Sequence, residues 1–293
     1  MREKVITSLH QLIERRNRQF IQEVRGEEPI DSIVEKKVNM HKARGAEIVR
    51  SFVEGDVVRT STFENQQYID YRQRTEFLIR IKDQFYIEEE LESRRAVFVN
   101  EELVNDMKCE PKEVEREAVM EGNINTIDNS REIRSYNRRE AVRYAERWWD
   151  DYNPAYRKFT NNCTNFISQC LHAGGASMTG HPNRSKGWWF RSDNWSFSWS
   201  VANAMRWYLS GAQSGLRGEE KEHASDLEPG DVICYDFDGD GTWQHTTIVV
   251  AKDANNEPLV NAQTANSRMR YWKYEDSTAY TPNIKYKFFH IVV

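Results

Sequence analysis

Cys163 stands where a cysteine side chain could act as a nucleophile. The run Thr160-Asn161-Asn162-Cys163-Thr164-Asn165-Phe166-Ile167-Ser168-Gln169-Cys170-Leu171-His172-Ala173-Gly174-Gly175 reads as one helix. Asn161 or Asn162 supplies the cap, Phe166, Ile167, Cys170 and Leu171 form one apolar face, and Gly174-Gly175 ends the helix. Cys163 then lies in the first turn, where free amide N–H groups and the positive end of the helix dipole favour a thiolate. Cys170 sits among apolar neighbours and reads as core.

A thiol nucleophile needs a base. Of seven histidines, His245 has the best setting, because it opens the β-rich run Gln244-His245-Thr246-Thr247-Ile248-Val249-Val250 after a Gly239-Asp240-Gly241 turn. An imidazole at the mouth of a strand can take a proton from a thiol and return it to a leaving amine. A third group should orient that ring. The next strand, Pro258-Leu259-Val260-Asn261-Ala262-Gln263-Thr264, offers Asn261 and Gln263, which share a face because they are two residues apart. Backbone N–H groups at Cys163 are expected to help hold an oxyanion.

The aromatic residues are concentrated near these candidates. Five of the nine tryptophans fall between Trp188 and Trp207. Set among serines and asparagines, such rings can stack on sugars or grip an extended peptide. Tyr156, Trp188, Trp189 and Trp195 are therefore expected to bind substrate, and Trp199 and Trp207 to fill the core. Asp236, Asp238 and Asp240 have the spacing that opens a calcium loop, but Thr247 stands where the twelfth-position acid belongs. The run reads instead as an acidic hairpin tip leading to His245. No metal ligand set and no cofactor motif is expected.

The positioning elements divide into two textures. Val5, Leu9, Leu12, Ile13, Phe20, Ile21 and Val24 lie on one face of an opening helix. Phe77, Ile79 and Ile81 then alternate with polar residues, Phe85 and Ile87 resume the pattern after Asp83-Gln84, and Ala96-Val97-Phe98-Val99 reads as a further strand. Charges here are expected to form a solvated sheet face. From about Pro111 to Ser130 the chain is polar and without period, which marks a boundary between an accessory region, 1–130, and a second domain, 131–293. There Asn137 caps a helix, with Glu140 placed as in a capping box, and Pro154 should stop it.

Composition narrows the partners. At 293 residues the chain is long enough for two domains of about 100–150 residues. Its 41 Lys+Arg against 46 Asp+Glu leave a net charge of −5, so no basic surface for nucleic acid is expected. The four cysteines form no CxxC pair and are too sparse for a disulfide scaffold. No secretory leader is expected at the amino terminus, and without an apolar stretch of about eighteen residues no integral membrane segment is expected. As written the chain is expected in the cytoplasm, or at the cell wall if it is a piece of a longer, exported one.

Asn153-Pro154-Ala155-Tyr156 followed by Asn162-Cys163-Thr164-Asn165-Phe166-Ile167-Ser168-Gln169-Cys170-Leu171 resembles the signature of the bacterial "putative amidase domain" family, a branch of the papain-like, NlpC/P60-type cysteine peptidases. Ser198-Trp199-Ser200, Pro229-Gly230-Asp231-Val232-Ile233 and the segment from His245 to Val249 fall where that family has similar segments. The likeness covers about residues 137 to 290. It implies an α+β architecture: a papain-like domain, its nucleophile helix packed on an antiparallel sheet, preceded by an α+β accessory domain. It also implies Cys163 as nucleophile, His245 as base and Asn261 or Gln263 as orienting group, acting on an amide of a short peptide or a peptidoglycan stem peptide. Two departures stand out. Asn162 precedes the cysteine where the family usually has an acid, and Gln263-Thr264 replaces a common His–Thr pair. The same residues would also suit a catalytically silent peptide- or glycan-binding module, or a papain-like acyltransferase.

Overall fold

Three long antiparallel strands and a shorter fourth, joined by short turns, follow two helices in the first part of the chain. A computed structural model describes residues 2–21, 30–109 and 135–293. They fall into two units, Met1–Glu110 with Lys273–Thr278, and Pro111–Trp272 with Ala279–Val293. The expected boundary at 130/131 lies outside the described residues, as does Val24 of the opening helix. Among the described residues no helix is long and apolar enough to cross a membrane.

The first unit contains α1 (Arg2–Ile21), α2 (Ser32–Ala43), β1 (Ala46–Phe63), β2 (Gln66–Ile81), β3 (Gln84–Val99) and β4 (Glu102–Lys108). The strands pair in the order β1-β2-β3-β4, all antiparallel. Val5 and Leu9 of α1 pack in one cluster with Ile69, Tyr71, Ala96 and Phe98, each buried aliphatic or aromatic side chain contributing about 1.5–3 kcal/mol. Ala96-Val97-Phe98-Val99 is the end of β3 rather than a separate strand, because β3 stays in register with β2 from Gln84 to Val99.

The β2–β3 hairpin decides which residues of β3 turn inward. Its tight turn pairs Ile81 with Gln84, so Ile79 faces Tyr86 and Phe77 faces Glu88, whereas Phe85 pairs with Arg80. Directly paired residues share a face. Phe85 and Ile87 therefore point outward, at 58% and 44% exposure, and do not continue the apolar face of Phe77, Ile79 and Ile81. Glu88 points inward and is fully buried. The expectation of a wholly solvated charged face is corrected for the same reason. Lys37 of α2, also buried, donates to Glu88, to Glu90 at 2.7 Å and to Asp276 at 2.9 Å. A buried carboxylate without such a partner would cost several kcal/mol.

The second unit mixes helices with six antiparallel strands and a two-stranded ribbon. Its elements are α3 (Arg138–Trp148), α4 (Cys163–Ala173), the two-residue strands β5 (Phe190–Arg191) and β6 (Asn194–Trp195), α5 (Phe197–Ser200), α6 (Ala202–Gly211), β7 (Arg217–Lys221), β8 (Val232–Asp236), β9 (His245–Lys252), β10 (Pro258–Ala262), β11 (Asn266–Tyr271) and β12 (Lys285–Val292). Within this unit the strand order is β11-β10-β9-β8-β12-β7, and α4 packs on β9 and β10.

Asn137 caps α3 as its position implies, its side chain accepting from Glu140 N at 3.3 Å. The helix ends at Trp148, before Pro154, and the side-chain amide of Gln263 donates to the carbonyls of Trp148 and Asp151 at 2.5 and 2.7 Å. The Trp148 carbonyl is an orphan acceptor of the helix end, and that of Asp151 lies in the segment beyond it. α4 ends at Ala173 with Gly174 at its cap, whose missing side chain leaves room for Tyr136: a Cβ there would run into that ring.

Candidate active site

α4 begins at Cys163, with Asn162 at the cap position, but the side chain that satisfies the helix start comes from elsewhere in the chain. The Thr264 hydroxyl accepts from the backbone N–H of Asn162 at 2.8 Å and of Cys163 at 3.1 Å. The Asn162 carboxamide instead accepts from Phe159 N and Asn165 Nδ2, both at 2.9 Å, and donates to Gln263 Oε1 at 2.5 Å. Thr264 holds φ at +85°, a conformation that costs a β-branched residue of order 1–3 kcal/mol and persists only where its surroundings impose it. The Cys163 N–H, expected to be open to an oxyanion, is thus occupied by a hydroxyl in the resting site.

The structure brings Cys163 and His245 together. The thiol is 5% exposed and the imidazole 8%. Burial alone pushes the Cys163 thiol up, but the charge of His245 and its hydrogen bond oppose this, and bonds from the Thr164 side chain and the Thr246 backbone add to them. The outcome is a thiol lowered to about 6. Burial pushes up Cys109, Cys170 and Cys234. The Thr164 hydroxyl lies 3.7 Å from the Cys163 sulfur and 3.0 Å from the Thr246 hydroxyl. The imidazole is flanked by the rings of Tyr235 at 5.5 Å and Phe237 at 6.2 Å.

Asn261 and Gln263 are held by other partners. Asn261 donates to Glu146 of α3 at 2.8 Å and accepts from Met269 N at 2.8 Å. Gln263 joins Asn162 to the end of α3 through the bonds given above. β10 ends at Ala262, so Gln263 lies in the turn beyond the strand that carries Asn261, and both amides bond to α3 or the segment that follows it. Thr164, Thr246 and Thr264 are the residues that the sequence reading missed. Threonine is ordinary in strands and helices, and nothing in a β-branched residue announces a positive φ.

The aromatic expectations are partly reversed. Trp188 and Trp189 cannot form the wall of a groove, because both are buried. Trp188 donates to Ser168 Oγ at 2.9 Å, and Trp189 to the carbonyls of Asn183 and Lys186 at 3.1 and 3.2 Å. Trp199 is core, its indole bonded to Asn165 at 2.8 Å, whereas Trp207, expected inside, is 49% exposed. The indole N–H groups explain this: paired, they let large rings enter a core at no polar cost. Tyr156 is half-buried and stacks on Trp199 at 5.9 Å. Trp195 is also half-buried, edge-on to Phe159 at 4.8 Å and faced by the guanidinium groups of Arg157 at 5.1 Å and Arg184 at 5.3 Å.

The acidic tip before His245 is built as a set of turns. Asp236 accepts from the N–H groups of Gly239 and Gly241, each at 2.8 Å, Asp238 from Gln244 at 3.1 Å and Asp240 from Thr242 N at 2.7 Å. Among the described residues the grouping of acids close enough to share a metal ion is Glu88, Glu90 and Asp276, and Lys37 bonds to all three.

The second unit is therefore a mixed α and β domain built around a thiol–imidazole pair, with the thiol at a helix start and the imidazole at a strand start. The chain belongs to the family described as "Putative amidase domain", whose model matches residues 135–289. Membership points to hydrolysis of an amide bond. Two proteins of Bacillus subtilis (strain 168) are similar. "Uncharacterized protein YhbB" is 47% identical over 268 residues, covering 89% of this chain and 86% of that protein. "Uncharacterized protein YjcM" is 28% identical over 180 residues, 57% of this chain and 41% of that protein. No solved structure matches the chain.

Proposed function

We propose that the second unit is a cysteine amidase of papain-like design and that the first is an accessory domain. The observation that carries this reading is the lowered Cys163 thiol. Burial by itself would keep it protonated, yet His245, with bonds from Thr164 and the Thr246 backbone, draws it to about 6. A structural cysteine in such surroundings goes the other way, as Cys170 does.

In the proposed reaction the Cys163 thiolate attacks the amide carbonyl carbon and the carbonyl π pair moves to oxygen. The protonated His245 then gives its proton to the nitrogen as the C–N bond breaks, leaving a thioester on Cys163 and a free amine. Water attacks the thioester as His245 takes one of its protons, and the C–S bond breaks to release the carboxylic acid and restore the Cys163 thiolate beside protonated His245. The carbonyl oxygen displaces the Thr264 hydroxyl from the Cys163 N–H as negative charge develops on it. Gln263 acts through Asn162 as a positioning residue for the start of α4. Resemblance to the wider superfamily makes a short peptide, such as a peptidoglycan stem peptide, the substrate class. Trp195 with Arg157 and Arg184 is the aromatic surface left to meet it.

The test is intact-mass analysis of the full chain after incubation with peptides released from digested peptidoglycan. The expected result is an acyl adduct on Cys163 that Cys163→Ala lacks, with free amine released and no product carrying an added amine acceptor. A correctly folded chain that forms no adduct and releases no amine overturns the proposal.

A further inference from the structure

β1 ends the sheet of the first unit. β2 pairs with one of its edges, and among the described residues no strand pairs with the other. The strand has 18 residues, about three times the usual length, so its open edge presents a long row of backbone N–H and C=O groups without a ladder. From Phe52 to Thr60 every residue except Val53 is exposed, Phe52, Val57 and Val58 among them.

Pairing with β2 fixes which way the side chains point. Glu47, Arg50, Phe52, Glu54, Asp56 and Arg59 lie opposite Arg80, Leu78, Glu76, Arg74, Arg72 and Asp70, and so share the outer face, away from Phe77, Ile79 and Ile81. Two bulges interrupt the strand, one on either side of Val53, with Val49 and Val58 as the extra residues. Arg50 and Asp56 make no ion pair among the described residues.

Charges and bulges are also the devices that keep an edge from pairing, so the question is whether they match a second copy of the same edge. Between the bulges every second residue turns its N–H and C=O to the open side, which limits the antiparallel registers to those that set like-facing residues opposite each other. Centred on Val53, the edge meets itself with Arg50 opposite Asp56 and Glu47 opposite Arg59, each pair occurring twice by symmetry. Between these pairs Ile48-Val49 of one strand faces Val57-Val58 of the other. The extra residues of the two bulges therefore cancel, and both ion pairs stay on the outer face. Phe52 then lies diagonal to its own copy, within reach of an aromatic ring. Neighbouring registers lose the match: centred on Phe52, Asp56 meets Ile48, and centred on Glu54, that acid meets itself.

We propose that β1 pairs antiparallel with β1 of a second copy of this chain, about a two-fold axis through Val53, and joins the two first units into one continuous sheet. Backbone ladder bonds hold the copies together, and the Arg50–Asp56 and Glu47–Arg59 contacts select the register. The inference rests on the first unit alone and is independent of the amidase reading.

The test is sedimentation of the full chain over about 1–100 μM, a range that brackets a micromolar dissociation constant. The parent chain is expected to reach twice the mass of one copy at the upper end. Arg50→Asp sets acid against acid at both symmetry-related contacts, and Asp56→Arg sets base against base. Each variant alone is expected to weaken the dimer by at least about tenfold. Mixed in equal amounts, the two are expected to form a heterodimer, because both contacts are then acid against base. Both side chains are exposed, so neither change disturbs the fold. A parent chain that stays single at the upper concentration, a dimer indifferent to either reversal, or a mixture that does not associate overturns the proposal.

Discussion

The hydroxyl groups of Thr164 and Thr246 lie 3.0 Å apart, and both residues are fully buried. Thr164 follows Cys163 on α4, and Thr246 follows His245 on β9. One hydrogen bond therefore ties the helix that carries the thiol to the strand that carries the imidazole, a single residue from each. The same Thr164 hydroxyl reaches the Cys163 sulfur at 3.7 Å. A brace at that position fixes how the start of α4 lies against the start of β9.

Thr246→Val keeps the shape of the side chain but leaves the Thr164 hydroxyl without its partner in the core. Chemical denaturation should show a loss of about 1–3 kcal/mol. Thr164→Val should cost a similar amount and also raise the Cys163 titration midpoint, because it removes a bond to the sulfur. The double variant should lose less than the sum of the two. Strict additivity would mean that the two hydroxyls do not interact.

Alkylation reads the thiol directly. Only thiolate reacts, so with Cys163 at about 6 its rate with iodoacetamide should climb as pH rises through 6 and level off near neutrality. Cys109, which burial raises, should still be slow there. In His245→Ala the two largest causes that lower the thiol are gone, and burial is opposed only by the bonds from Thr164 and the Thr246 backbone. The midpoint should then move above the ordinary thiol value near ~8.5, with a large loss of rate at pH 7.

Asn261 and Gln263 can be separated from an orienting role by the same profile. If Gln263 acts by holding Asn162 and the end of α3, Gln263→Ala lowers the melting temperature and turnover but leaves the Cys163 midpoint in place. Asn261→Ala, losing bonds to Glu146 and Met269, should behave alike in the profile. A shifted midpoint in either variant would assign that amide to the imidazole.

Trp188 and Trp195 should part company when each is truncated. Trp188→Ala empties a fully buried site and breaks the bond to Ser168, which should cost about 3–5 kcal/mol in a denaturant titration. Trp195→Ala removes a half-buried ring. It should leave stability within about 1 kcal/mol of the parent and raise KM for a peptide substrate with little change in kcat.

Much of the site was legible in the chain because it is local. The α4 residues carry their own cap position, apolar face and glycine stop, and the β-rich run after Gly241 places His245 at a strand start. The rest depends on contacts between distant residues. Which amide faces which partner follows from how β10 lies against α3, and Asn261 and Gln263 look alike until Glu146, Asn162 and the end of α3 are in place. Aromatic spacing could not separate Trp188 from Trp207, since burial of an indole turns on whether a remote acceptor such as Ser168 meets its N–H.

Sequence alone thus determined the helix that begins at Cys163, the strand that begins at His245 and the net charge, all of which rest on periodicity and residue type. Tertiary structure decided what those patterns do not encode. One tight hairpin turned Glu88 inward and Phe85 outward, Thr264 crossed to the start of α4, and two threonines met behind the thiol. Each is a matter of register or of long-range packing, in which a shift of one residue exchanges the buried face for the exposed one.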